Sequence, residues 1–298
     1  MRVRKFAAID IGSNAVRLLI HNVIEEEGEV TQFRKSELIR IPVRLGEDSF
    51  TIGEISKRNI ERMIKTIKAF RLLMDVNDVE KYMACATSAM REAKNGLEVI
   101  DKIADETGIR IELIDGEREA TIIASTDLKK LIRNDKTYLY IDVGGGSTEF
   151  TVFSKGKIEV SKSFKLGTIR LLNKTVDESQ WDQLKIWIKE HTEGNTDISI
   201  IGSGGNINKL HKMSGRKEGK PLSYIWLNAQ YHFLQNLSYN DKVSELGLNP
   251  DRADVIIPAL EIFLSASRWS GAKKIHVPKI GLSDGIIKTL YYSESDNQ

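Results

Sequence analysis

The sequence predicts an α/β protein made of two similar domains, and three observations carry this prediction. The chain has 298 residues, which is more than one hydrophobic core usually serves, although a single large α/β barrel is the competing architecture. Strand-like and helix-like segments alternate along it. In addition, residues 9–15 (IDIGSNA) are matched by residues 141–147 (IDVGGGS), so the chain contains an internal repeat.

Each copy of the repeat begins with three strands. A strand ending in Asp leads through a Gly/Ser/Asn turn into a second strand, at residues 16–23 in the first copy and 149–153 in the second. A further glycine-bearing turn, at Gly28 or Gly156, then leads into a third strand. The sequence therefore predicts two three-stranded meanders.

Helices and further strands are predicted after each meander. In the first half we predict a helix over residues 54–74, a strand over 81–86, a helix over 88–107, a strand over 110–114 and a helix opening near Gly116. In the second half we predict helices over 168–175 and 178–191, a strand over 198–201, a helix from Asn206, a flexible loop over 215–222, three helices within 224–270, a strand over 274–277 and a closing helix. The predicted domains are residues 1–125 and 126–283, with the C-terminal helix, about 284–298, packing back on the first.

Composition and charge exclude several functional classes. The chain has 44 Lys and Arg against 42 Asp and Glu, a net charge of +2, so we expect no nucleic-acid partner. No apolar run approaches the roughly 18 residues of a membrane span, and Asp10 interrupts the apolar stretch after the basic N-terminus, so we expect no secretion signal, no membrane partner and a cytoplasmic location. The single cysteine, Cys85, is expected to be a buried packing residue.

Three glycine-rich turns at strand ends are candidate phosphate-binding elements. Turns of this kind expose backbone N–H groups and let an anion approach without a β-carbon in the way. One such turn is more often a tight hairpin, but three of them, two at repeated positions, indicate phosphate binding. The third opens a helix, whose N-terminus adds partial positive charge. The candidate residues are Gly12, Ser13 and Asn14; Gly144, Gly145, Gly146, Ser147 and Thr148; and Gly204, Gly205 and Asn206.

An aspartate stands two residues before the first glycine of each of the first two turns. Carboxylates in this position, Asp10 and Asp142, can bind a divalent cation directly or through waters while the turns hold phosphate. The alternative is that each aspartate only caps its turn by accepting backbone N–H bonds. Oxygen ligands favour Mg²⁺, with Mn²⁺ as the second choice.

Five segments, in this order and spacing, resemble the motif series of the exopolyphosphatase/guanosine pentaphosphate phosphohydrolase (Ppx/GppA) family. They are residues 8–14 (AIDIGSN), 86–93 (ATSAMREA), 116–120 (GEREA), 142–149 (DVGGGSTE) and 166–170 (LGTIR). The resemblance runs from about residue 5 to about residue 290. It implies the fold of the actin, acetate kinase and Hsp70 superfamily, with two duplicated ribonuclease-H-like domains hinged around a central cleft.

The resemblance also implies roles for individual side chains. Glu119 would be the general base that activates water, and Arg91 would hold substrate phosphates. Asp10 and Asp142 would organise metal and water with the help of Glu149, which makes Glu149 both a catalytic and a metal-binding candidate. The reaction implied is hydrolysis of a phosphoanhydride bond in inorganic polyphosphate or guanosine pentaphosphate. Without the resemblance, the better explanation of Glu119 is a first-turn helix acid that the helix dipole favours.

Two other functions compete with hydrolysis. A kinase of the same superfamily would share the fold, but Glu119 with Arg91 argues against it. A sensor that binds without turnover gains little from four carboxylates around an anion, namely Asp10, Glu119, Asp142 and Glu149. Longer family members carry a C-terminal helical HD-type region that this sequence lacks, so we expect short polyphosphate or guanosine pentaphosphate as substrate. Two-domain members also suggest a homodimer.

Overall fold

The computed structural model of the protein describes residues 1–124, 126, 128, 131–195 and 197–295. The chain divides into two compact units: the first is formed by Met1–Thr126 with Leu282–Gln298, and the second by Asp127–Gly281. Within the described ranges, every helix is too short or too polar to span a lipid bilayer.

The described secondary structure alternates as the sequence predicts. The strands are β1 (Arg2–Ile11), β2 (Val16–Glu25), β3 (Gln32–Ile41), β4 (Lys81–Ala86), β5 (Ile111–Leu113), β6 (Thr137–Val143), β7 (Thr148–Ser154), β8 (Lys157–Phe164), β9 (Ile198–Ser203), β10 (Leu222–Ser223) and β11 (Lys274–His276). The helices are α1 (Leu45–Thr51), α2 (Lys57–Val76), α3 (Ser88–Glu92), α4 (Gly96–Thr107), α5 (Gly116–Ala124), α6 (Thr168–Leu172), α7 (Glu178–Thr192), α8 (Gly205–Met213), α9 (Tyr224–Gln235), α10 (Tyr239–Ser244), α11 (Pro250–Ala253), α12 (Ile256–Ser270) and α13 (Leu282–Ser295).

The two sheets share one topology. In the first unit the strand order is β3-β2-β1-β4-β5, and in the second it is β10-β11-β9-β6-β7-β8. In each unit the three meander strands pair antiparallel. Two further strands then extend the sheet in parallel from the first meander strand, β4 and β5 in the first unit and β9 and β11 in the second. Only the two-residue strand β10 has no counterpart among the described strands of the first sheet. The predicted class, a duplicated α/β fold, is confirmed.

Each sheet is covered by the apolar faces of its own helices. In the first unit α2 begins at Ser56, whose side chain accepts a hydrogen bond from the N–H of Asn59. Its Met63, Ile67 and Phe70 are buried against the sheet at helical spacing. The predicted amphipathic helix over 54–74 is therefore found, and burial of this face stabilises it more than its intrinsic propensity does.

The predicted continuous helix over residues 88–107 is wrong, because the chain breaks between α3 and α4. Ala93 has an extended backbone, and the side chain of Asn95 exchanges two hydrogen bonds with the backbone of Ile55. Gly96 packs so tightly on Met90 that a Cβ would lie 2.0 Å from the Met90 carbonyl oxygen. These tertiary contacts outweigh the helical periodicity of the sequence.

Two smaller predictions in the second half also need correction. The region 224–270 contains four described helical segments, α9 to α12, where three were predicted. The last residue of the predicted flexible loop over 215–222, Leu222, is a buried residue of β10 that pairs with β11. Both errors concern short elements, whose residues are too few to show a period.

His21 on β2 lies where α13 packs on the first sheet. The residue is 4% exposed, neither ring nitrogen has a hydrogen-bond partner among the residues that the structure describes, and Nε2 lies 3.6 Å from Oδ1 of Asp284 on α13. Burial lowers the pKa of His21 to about 4, with the positive charges of Lys35 and Lys288 acting in the same direction and Asp284 opposing them. The folded protein therefore keeps His21 neutral in weak acid.

This burial predicts a loss of stability in weak acid. Between about pH 6.5 and about pH 4 the unfolded chain binds a proton at His21 that the folded chain does not, so the free energy of unfolding falls as the pH drops through this range. His21→Gln should remove that part of the pH dependence, whereas His232→Gln, at an exposed position, should not. Urea unfolding of the three proteins at several pH values tests this. Equal pH dependence in wild type and His21→Gln would contradict the prediction.

Candidate active site

The first candidate turn joins β1 to β2, and its carbonyl groups are engaged by the segment that follows β3. The carbonyl of Ser13 accepts a hydrogen bond from the N–H of Gly46 at 2.8 Å, and the carbonyl of Asn14 accepts one from the N–H of Arg44 at 3.1 Å. In a planar trans peptide the N–H points opposite to the carbonyl. The N–H groups of Asn14 and Ala15 therefore point away from this segment, as a phosphate-binding turn requires.

Asp10, at the end of β1, is paired with a cation that the sequence analysis did not single out. It lies directly opposite Arg17 in the antiparallel pairing of β1 and β2, and Nη1 of Arg17 is 2.6 Å from its Oδ2. The hydroxyl of Ser283 on α13 lies 3.5 Å from the same oxygen. Asp10 is 3% exposed, so this charge-assisted hydrogen bond fixes one face of its carboxylate.

Arg91 and Glu119 stand on helices that leave the same edge of the first sheet. Because β1, β4 and β5 are parallel, α3 and α5 begin at the edge where the first turn lies. Nη1 of Arg91 donates to the carbonyl of Ile114 at 2.6 Å. Asp115 caps α5 by accepting the N–H of Arg118, which places Glu119, 8% exposed, in the first turn of that helix.

Ser88 connects the first turn to α3. Its hydroxyl oxygen is 2.9 Å from that of Ser13, and both side chains are buried. The candidate residues of the first unit, from Gly12 to Glu119, therefore lie along one sheet edge, with the turn at one strand end and Arg91 and Glu119 at the next two.

The second candidate turn, between β6 and β7, is held from one side by residues 166–170. Each of its glycine carbonyls accepts a hydrogen bond from this segment: Thr168 N–H to Gly144 O at 3.0 Å, Ile169 N–H to Gly145 O at 2.8 Å, and Arg170 Nε to Gly146 O at 2.7 Å. By peptide planarity, the N–H groups of Gly145, Gly146 and Ser147 point to the opposite side. The turn therefore presents three consecutive donors, the arrangement that binds anions.

Glu149 and Asp142 lie beside this turn. They are direct partners in the antiparallel pairing of β6 and β7, so both carboxylates are on one face of the sheet. Oε1 of Glu149, a residue that is 4% exposed, accepts hydrogen bonds from the hydroxyls of Ser147 at 2.7 Å and Ser163 at 2.9 Å. Two like charges directly opposite each other are unfavourable, and the two hydroxyl donors offset part of that cost.

The hydroxyl of Thr148 does not reach the open side of the turn. Thr148 is fully buried, and its Oγ1 donates to the carbonyl of Leu166. The Ser147 hydroxyl is likewise directed to Glu149. At the two residues that end this turn, the donor directed toward a ligand is therefore the backbone N–H of Ser147. The hydroxyl groups of Ser147 and Thr148 both make hydrogen bonds within the protein.

The third candidate turn joins β9 to α8. Gly204 has φ 107, and a Cβ there would lie 2.9 Å from the carbonyl oxygen of Val143, so both backbone conformation and space require glycine. Gly205 and Asn206 form the first turn of α8, and Asn206 is 9% exposed. Nη2 of Arg252 lies 3.2 Å from the position that a Gly205 Cβ would take. A guanidinium thus stands beside a helix N-terminus, two features that favour an anion.

The donor set of the second unit fits a magnesium ion. Mg²⁺ is usually held by one or two carboxylates and keeps several waters or substrate oxygens as its other ligands. Asp142 and Glu149 can supply the two carboxylates from adjacent strands. No group of three or more His, Cys, Asp or Glu side chains able to hold a metal is found in the described part of the chain. Asp10 belongs to the other unit, where Arg17 engages it.

Several residues near the candidate site were not assigned from the sequence, among them Arg17, Ser163, Arg170 and Arg252. Arg17 and Ser163 are recoverable in principle, because the hairpin registers place them opposite Asp10 and Glu149. Arg252 has no such signal. It reaches Gly205 from α11, far along the chain, and no local pattern predicts that approach.

Comparison with known proteins identifies the family of this chain. Residues 36–294 match the model of the Ppx/GppA phosphatase family. The chain is 34% identical over 274 residues to a bifunctional 3-dehydroquinate synthase/phosphatase of Fusobacterium nucleatum, covering 84% of this chain and 41% of that protein. It is 23% identical to exopolyphosphatase 1 of Mycobacterium tuberculosis, covering 98% and 90% of the two chains. It is 30% identical to a guanosine-5'-triphosphate,3'-diphosphate pyrophosphatase of Photobacterium profundum, covering 95% and 58%.

Solved structures share the fold. An exopolyphosphatase from Cytophaga hutchinsonii aligns with a TM-score of 0.82 at 24% identity, over 97% of this chain and 98% of that one. A Ppx/GppA family member from Aquifex aeolicus aligns with a TM-score of 0.78 at 24% identity, over 98% and 99%. The matched span covers most of the sequence, and the predicted family is confirmed: the chain belongs to the Ppx/GppA phosphatase family.

Proposed function

We propose that this protein hydrolyses phosphoanhydride bonds and releases terminal phosphate from inorganic polyphosphate, guanosine pentaphosphate or both. The observation that carries the proposal is the second turn, whose three glycine carbonyls are all bonded to residues 166–170 while its N–H groups face the other way. Two carboxylates, Asp142 and Glu149, flank it. The named activities of the mycobacterial and Photobacterium relatives support the same reaction class.

In the proposed mechanism, the N–H groups of Gly145, Gly146 and Ser147 bind the oxygens of the terminal phosphoryl group. Transfer of this group depends mainly on in-line positioning and on neutralising charge on its oxygens. Arg91 adds a guanidinium for a neighbouring phosphate. Glu119 orients the attacking water and accepts its proton. A bound Mg²⁺ would supply further charge neutralisation, with Asp142 and Glu149 as its protein ligands.

The two competing functions are less well supported. A kinase needs an acceptor hydroxyl or carboxylate in place of water, and the relatives with named activities on polyphosphate and guanosine pentaphosphate are an exopolyphosphatase and a pyrophosphatase. A sensor without turnover would have no use for a buried acid such as Glu119, since burying a charge is costly. Placement of the reaction between the two domains, and a cytoplasmic homodimer, stay predictions from the sequence.

Phosphate release in three parallel assays tests the proposal. Short polyphosphate, long polyphosphate and guanosine pentaphosphate are each incubated with Mg²⁺, with Mn²⁺ and with a chelator. We expect release with Mg²⁺, weaker release with Mn²⁺, and loss of activity with the chelator that returns when Mg²⁺ is added back. Binding of all three compounds without any release would contradict hydrolysis and favour the sensor. Release that persists in chelator would contradict the metal requirement.

A further inference from the structure

The carbonyl at the third position of the first two turns is satisfied differently in the two units. The repeat aligns Asn14 with Gly146. In the first unit the Asn14 carbonyl accepts a neutral backbone N–H from Arg44 at 3.1 Å. In the second unit the Gly146 carbonyl accepts Nε of the Arg170 side chain at 2.7 Å. The donor to this carbonyl is thus a neutral peptide N–H in the first copy and a permanently charged guanidinium in the second.

The positive charge of Arg170 lies on the carbonyl side of the second turn. Arg170 is 8% exposed, and burying a guanidinium costs free energy that a neutral donor does not. The first unit shows that the hydrogen bond itself needs no charge, because a backbone N–H makes it there. A buried cation on the carbonyl side of a turn is favourable when an anion sits on its N–H side.

The same bond also acts on the donor that faces the ligand. The carbonyl of Gly146 and the N–H of Ser147 belong to one planar peptide, so fixing the carbonyl fixes the direction of the N–H. A charged donor on the carbonyl further polarises this peptide and strengthens the N–H as a donor. The carbonyls of the two preceding peptides accept backbone N–H groups instead, from Thr168, Ile169 and Arg170.

We propose that Arg170 is a positioning residue for phosphate in the second turn: it orients the Gly146–Ser147 peptide and places a positive charge behind the bound phosphoryl group. This rests on the proposed function, since it assigns a role in the same site. Arg170 does not touch the phosphate. It acts through the N–H of Ser147.

Two variants and one control test the proposal. Arg170→Gln removes the charge, Arg170→Lys keeps the charge but loses the planar Nε donor, and Arg268→Gln removes one charge from an exposed position on α12 in the same unit. Binding of imidodiphosphate, a non-hydrolysable diphosphate, is measured by calorimetry with Mg²⁺, together with kcat, KM and Tm. We expect binding about tenfold or more weaker in Arg170→Gln, intermediate in Arg170→Lys and unchanged in Arg268→Gln.

The binding assay separates this proposal from the proposed function. A folded Arg170→Gln protein that binds imidodiphosphate as tightly as the wild type would overturn the role of Arg170. If Arg170→Gln does not fold, Arg170→Lys decides: weakened binding supports the role, and wild-type binding overturns it. Absence of hydrolysis in the wild type would instead refute the proposed function, while the binding comparison still tests Arg170.

Discussion

Glu119→Gln is expected to lower kcat by about 10²- to 10⁴-fold, the range typical for removal of a general base, while binding of imidodiphosphate stays nearly unchanged. The amide keeps the size of the carboxylate and its place in the first turn of α5, but it cannot accept the proton of the attacking water. Phosphate release under saturating substrate gives kcat, and calorimetry gives the affinity.

Glu117→Gln is the matched control for this experiment. Glu117 lies in the same first turn of α5 but is exposed, so losing its charge should affect the helix terminus and not the chemistry. If Glu119→Gln keeps most of its activity, or if Glu117→Gln loses as much, the assignment of Glu119 as the base is wrong.

Arg91→Ala provides the complementary pattern, with binding of imidodiphosphate weakened because a phosphate-binding guanidinium is gone.

Gly167→Ala is expected to lower kcat/KM by about 10²-fold, the typical penalty when a misplacement of about 1 Å reaches a reacting group. The backbone of Gly167, with φ −124, is one that any residue adopts. The requirement for glycine comes from space, because a Cβ there would lie 2.3 Å from the carbonyl oxygen of Gly145 and 2.4 Å from its carbonyl carbon. The added methyl must therefore push the second turn away from residues 166–170.

The expected result includes a loss of stability of about 1–3 kcal/mol from overpacking, so stability and activity must be measured on the same preparations. Gly194→Ala is the control: a Cβ at Gly194 meets none of the described residues within 4 Å, and its positive φ of 78° opposes alanine. It should lose about 1 kcal/mol and keep wild-type kcat/KM. A folded Gly167→Ala protein with normal activity would show that the turn does not depend on this contact.

Much of the fold could be predicted from the sequence, because the patterns that indicate its strands, turns and helices are local. The repeated Asp-Gly turns, the strands around them and the amphipathic helix α2 are each encoded within a few residues. The break between α3 and α4 was not readable. Residues 88–107 have helical periodicity, and the interruption comes from hydrogen bonds between Asn95 and Ile55, which are distant along the chain.

For the candidate site, the residue types that stand at the strand ends, including Asp10, Asp142 and the glycines of the turns, could be predicted from the sequence. Their spacing is local, so the pattern and the family resemblance identify them together. The contacts that hold these groups in place became visible in the folded chain. Arg170 reaches the Gly146 carbonyl, Ser163 reaches Glu149 and Arg252 reaches Gly205 across strand pairings or packed helices. The Ser163 contact follows from the register of a local hairpin, whereas the contacts of Arg170 and Arg252 depend on where the chain returns in space, which no local period encodes.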